Sequence, residues 1–129
     1  MIYYKGLNFH INNEYHYIEI KLTTLNLINA ESFITTVNLI SEFSLTYKPN
    51  YIVITLAIRY KYNNTYMWFL NQLIIPQLIK SGIKYIILIV EPIILKKLKT
   101  VFEHYTCIHL FSDRAGAINW IEKSESDTI

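Results

Sequence analysis

The 129-residue chain is 52% hydrophobic and 17% charged, with three glycines and three prolines. That composition excludes a disordered polypeptide and fits one domain, residues 1–129, with a polar tail over 122–129. A formal net charge of +2 is too small to imply a nucleic-acid surface, and the single Cys107 excludes an internal disulfide or a cysteine metal cluster. No apolar run reaches the ~18 residues of a membrane span and the start lacks the grammar of a signal peptide, so a soluble cytoplasmic protein is expected.

Leu7 to Ile11 and Tyr15 to Leu22 alternate with period two and predict a β-hairpin turning at Asn13-Glu14. Ile11 would then oppose His16, Phe9 oppose Ile18 and Leu7 oppose Ile20, which keeps the apolar residues together. His16 becomes a core residue with a hydrogen bond, while Tyr15, Tyr17, Glu19 and Lys21 face outward. Asn29 caps a helix running to about Phe43, with Phe33, Val37, Ile40 and Phe43 at helical spacing, and Pro49 lies beyond its end.

Tyr51 to Ile58 is an uninterrupted apolar run rich in β-branched residues, the pattern of a strand buried on both faces in a mostly parallel sheet. The following helix starts at Asn63 or Asn64 and stops at Gly82. Met67, Leu70, Ile74 and Leu78 form one apolar stripe on it and Trp68, Ile75 and Ile79 another, with Asn71 buried between them and a kink at Pro76. Lys84 to Val90 is a second buried strand. Pro92 opens a helix whose inner face carries Ile94, Leu95, Leu98, Val101, Phe102 and Tyr105, leaving Lys96, Lys97, Lys99 and Glu103 for solvent. Thr106 to Phe111 is a short strand that places Cys107, as a buried inert thiol, with His109 and Phe111 on one face. Ser112 or Asp113 caps a closing helix on which Ala117, Ile118, Trp120 and Ile121 pack inward.

This order, with Phe111-Ser112-Asp113, Ala117 and Trp120-Ile121 at its end, resembles the SpoIIAA-like proteins of the STAS superfamily. The series Trp68, Pro76 and Ser81-Gly82-Ile83-Lys84 before an apolar strand is similar to the small single-domain STAS-like proteins of bacteria with AT-rich genomes. The resemblance covers roughly Leu7 to Ile121. It implies an α/β fold, SpoIIAA-like, with a mostly parallel β-sheet, an N-terminal β-hairpin and about four helices. It also implies a non-catalytic regulatory or protein-interaction module in bacterial signalling. In the anti-sigma-factor antagonists of that superfamily a phosphorylated Ser or Thr opens the helix after the central strand. The corresponding stretch, Ala57 to Thr65, lacks the Asp-Ser-Ser/Thr-Gly type motif, with Thr65 the positional counterpart.

In an open parallel sheet a ligand lies outside the carboxyl ends of the strands. There Arg59 and Lys61, with Glu91 nearby and the helix start at Thr65, can bind a phosphate or carboxylate. The alternative is an Arg59–Glu91 salt bridge beside a solvated Lys61. A strand-end cleft of this kind also fits a small-molecule or lipid carrier. No histidine spacing matches a metal site, and no glycine-rich phosphate loop or nucleophile elbow occurs, so neither an enzyme nor a cofactor is expected. Phe69 and Leu73 project from the second helix away from the sheet, with Trp68 near the boundary, and the three predict an interaction surface for a homodimer or another protein; the alternative is that neighbouring helices or Ile2-Tyr3-Tyr4 cover the patch.

Overall fold

In a computed structural model of the chain, residues 2–4, 7–23, 30–57 and 70–126 are described. The elements are strands β1 (Ile2–Tyr4), β2 (Leu7–Asn12) and β3 (Tyr17–Thr23), helix α1 (Ala30–Tyr47), strand β4 (Tyr51–Ala57), a π-helical turn (Leu70–Ile74), helix α2 (Ile75–Lys80), strand β5 (Tyr85–Ile89), helix α3 (Pro92–Phe102), strand β6 (Ile108–Phe111) and helix α4 (Arg114–Ser126). The strands form one six-stranded sheet in the order β1-β2-β3-β4-β5-β6. β1, β2 and β3 are antiparallel neighbours, whereas β3 to β6 run parallel. The fold is therefore α/β with a mostly parallel sheet, and β1 adds a strand that the period-two pattern did not reveal.

Each parallel strand lies beside the one before it, and every step goes the same way across the sheet. Parallel crossovers are right-handed, so three successive steps in one direction bring the intervening helices to the same face. The larger core shows it: Leu39, Ile40 and Phe43 of α1, Ile75 and Leu78 of α2, and Leu98 and Phe102 of α3 pack with Ile18, Ile20, Ile52, Ile54, Ile86 and Leu88 of the sheet. Helix α4 lies over the other face. Its Ala117 and Ile121 close a smaller core with Tyr17, Tyr51, Val53, Ile87 and Ile89. Val53 and Ile87 are fully buried, which is why their strands carry no polar alternation.

Local chemistry sets the ends. Lys48 lies at φ 45° and its N–H bonds the carbonyl of Ser44 at 3.1 Å, an αL stop that lets α1 run to Tyr47 before Pro49. Gly82, at φ 86°, ends α2 in a Schellman motif, with its N–H on the carbonyl of Ile79 and that of Ile83 on Leu78. Where Pro76 was expected to kink the helix, the chain instead widens into the π-helical turn just before α2 begins. Proline has no N–H to give, and its ring crowds the carbonyl four residues earlier. A turn bonded over five residues accommodates both. Ile75, Ile74 and Leu78 are buried as expected, whereas Ile79, expected to face inward with Ile75, is exposed.

The hairpin keeps the expected faces but slips by two residues. Ile11 pairs with Ile18 and Phe9 with Ile20, around a four-residue turn at 13–16. The Asn12 side chain accepts from the N–H of Tyr15 at 2.8 Å, and His16 takes a left-handed conformation at φ 55°. His16 is thus an exposed turn residue and not a core residue. A two-residue slip leaves every side chain on its original face, so hydrophobic alternation alone cannot distinguish the two registers.

Candidate functional site

At the carboxyl ends of the strands, Glu91 is exposed and stands just before α3, where its carbonyl accepts from the N–H groups of Ile94 at 2.9 Å and Leu95 at 3.0 Å. Asp113, beyond β6, accepts from the N–H of Gly116 at 2.6 Å and caps α4, as its position predicted. Arg59, Lys61 and Thr65 lie outside the described residues, as do Trp68 and Phe69. Leu73 is 40% exposed, and the side chain of Asn71 is outside those described. Cys107 is half-buried against the larger core, across the sheet from Phe111.

The second face of the sheet carries polar chemistry that alternation had assigned to solvent. Glu19, in the middle of β3, is 2% exposed. Its carboxylate accepts two bonds from Arg114 at the start of α4, Nε to Oε2 at 2.6 Å and Nη2 to Oε1 at 3.0 Å. A buried carboxylate demands such a partner, and the planar fork of arginine satisfies both oxygens at once. The hydrogen bonds to Glu19 hold the Arg114 guanidinium charged still more firmly than usual. The arginine side chain itself remains 57% exposed.

A second polar cluster sits at the other end of α4. Tyr51 donates to Glu125 Oε2 at 2.8 Å and Asn50 Nδ2 donates to Oε1 at 3.3 Å, with His16 Nε2 at 4.0 Å. Burial, followed by the Glu125 carboxylate, pushes the Tyr51 phenol far above the ordinary tyrosine range. Beside it Tyr51 and Tyr85 stack at 5.6 Å, and Trp120 meets both rings edge-on and lies 4.5 Å from His109. Burial lowers the pKa of His109 and so disfavours the imidazolium form. A shallow dent of about 30 Å³ next to the hairpin turn, lined by Asn12, His16, Tyr17, Tyr47 and Pro49 among others, has room for a water or two.

The outer surfaces of the helices are unusually apolar. Ile34 and Leu45 of α1 are 57% and 63% exposed, and Ile93 at the start of α3 is 77% exposed. Tyr47, Leu73, Ile79 and Val101 are also exposed. Lys96, Lys97 and Lys99 are exposed on α3 as expected, and Glu103 is exposed just beyond its end. No helix among the described residues is long and apolar enough to cross a membrane. No group of His, Cys, Asp and Glu among them is arranged to hold a metal ion. No family model, curated protein or solved structure matches the chain.

Proposed function

We propose that the chain is a non-catalytic STAS-like regulatory or protein-interaction module. The observation that carries this reading is the set of large apolar side chains left in water on the outer faces of the helical layer, Leu45 and Ile93 foremost. Covering such a side chain is worth about 1.5–3 kcal/mol, so a partner that covers several gains most of what a specific complex needs. The acidic groups on the second face support the same reading. Glu19 is engaged by Arg114, and Glu125 by Tyr51 and Asn50, contacts that hold α4 to the sheet. The resemblance to the SpoIIAA-like proteins points to signalling as the setting.

The test compares wild type with Leu45→Glu and Ile93→Glu, both at exposed positions where a charge leaves the core intact. Sedimentation velocity over a range of concentrations reads self-association, and affinity capture from source-cell lysate followed by mass spectrometry reads other partners. An assembly formed by wild type and lost by a folded variant supports the module. Identical behaviour of all three proteins removes it. A stoichiometric small-molecule mass on freshly purified protein in native mass spectrometry would favour a carrier instead.

A further inference from the structure

Helix α4 packs over β4, β5 and β6, and the second face of β2 and β3 continues beyond it. Asn8 on β2 lies opposite Lys21 on β3, which in turn lies beside Thr55 on β4. His10 lies opposite Glu19, one pleat further along the same face. Neighbouring strands are ~4.8 Å apart and residues two apart in a strand ~6.7 Å apart, so these side chains arise within about 10 Å of Glu19. Lys21 is exposed, while Asn8, His10 and Thr55 are half-buried. Over this shelf Arg114 extends from the start of α4 to Glu19.

An arginine carries five N–H donors, and the two bonds to Glu19 use one on Nε and one on Nη2. The other three have no partner among the described residues, on a side chain that is 57% exposed. A buried ion pair is weak as a stabilising device, since apolar residues of similar volume often do as well. What Glu19 does supply is direction. Gripping the guanidinium by two of its nitrogens removes its rotational freedom and sets the plane in which the remaining donors project. Lys21 adds a second positive charge, and Asn8, His10 and Thr55 add further donors. Arg114 and Lys21 together carry one positive charge more than Glu19 cancels, among side chains rich in donors.

We propose that this shelf is a binding site for the phosphate group of a small molecule, with Arg114 as its fixed anchor and Lys21, Asn8 and His10 completing the shell. A phosphate, with three oxygens around one centre, uses this many donors better than a carboxylate does. The site is separate from the apolar helix surface on the opposite face, and either can exist without the other.

The test is a ¹H–¹⁵N NMR titration of the full chain at constant ionic strength with inorganic phosphate and glycerol 3-phosphate, using acetate and chloride as controls. Saturable shifts at Asn8, His10, Lys21 and Arg114 with either phosphate are expected, with weaker effects from acetate. Lys21→Gln, at an exposed position, should weaken phosphate binding about tenfold without altering the fold. Arg114→Lys, which keeps a cation for Glu19 but lacks the fork, should weaken it at least as much. Shifts that chloride reproduces, shifts scattered over the molecule, or a folded Lys21→Gln that binds as wild type does would each overturn the site. Saturation by glycerol 3-phosphate but not by inorganic phosphate would keep the site and assign it to phosphate esters.

Discussion

The Tyr51 hydroxyl donates a 2.8 Å hydrogen bond to Oε2 of Glu125, joining the first residue of the central strand to the last turn of α4 across 74 positions. This bond makes the end of α4 part of the fold, where the polar sequence of the last residues suggested a tail. It also gives the protein an alkaline limit. Tyr51 has a raised pKa in the folded state, mainly through burial and then through Glu125, and burial raises Tyr17 as well. An unfolded tyrosine loses its proton near pH ~10. The folded protein therefore binds more protons than the unfolded chain above that pH, so stability is fully present below it and falls as pH rises. Urea midpoints at about pH 8, 9.5 and 10.5 should fall in order, with a shallower fall in Tyr51→Phe. An equally steep fall in the variant would assign the limit elsewhere.

Arg114 is the counter-charge of a carboxylate that water scarcely reaches. Arg114→Ala should destabilise by about 3 kcal/mol, at the lower end for breaking a buried pair because the arginine side is half in solvent. Pairing the change with Glu19→Gln should recover part of that loss, since no charge is then left buried without a partner. Urea unfolding of the four members of this cycle measures the coupling, and additive losses would show that the two groups act independently.

Lys48 holds a left-handed conformation that a side chain adopts only at a cost of about 1–2 kcal/mol. Lys48→Gly removes that strain and adds some chain entropy to the unfolded state, for a net gain of roughly 0.5–1 kcal/mol. A rise in Tm of about 2–4 °C by calorimetry is expected. A lower Tm would mean that the lysine side chain contributes more than its backbone loses.

The Asp113 carboxylate satisfies the N–H of Gly116 at 2.6 Å. Asp113→Ala should cost about 1 kcal/mol and Asp113→Asn much less, because an amide oxygen caps a helix nearly as well. Hydrogen exchange at the first turn of α4 reads this directly: the alanine variant should exchange faster there while the hairpin is unchanged.

The sequence by itself determined the elements that bury one continuous surface or end on a local signal. Tyr51 to Ala57 and Tyr85 to Ile89 are strands because an unbroken apolar run fits a sheet covered on both sides, and α4 starts where Asp113 offers a cap. Patterns of this kind are written in neighbouring residues, and a reading along the chain finds them. The hairpin shows the limit, since the two registers keep each strand side chain on the same face and the turn geometry at Asn12 and His16 goes with only one of them. The candidate phosphate shelf lay beyond that limit altogether. Glu19 and Arg114 are 95 positions apart, and nothing near either residue marks the other as its partner. Glu19 sits in an alternating strand that reads as half solvated, and it is buried only because three one-way crossovers send the earlier helices to one face and leave α4 to cover the other. Local physics names the strands and helices, but which polar side chains meet depends on how the layers close, and only the tertiary structure decides that.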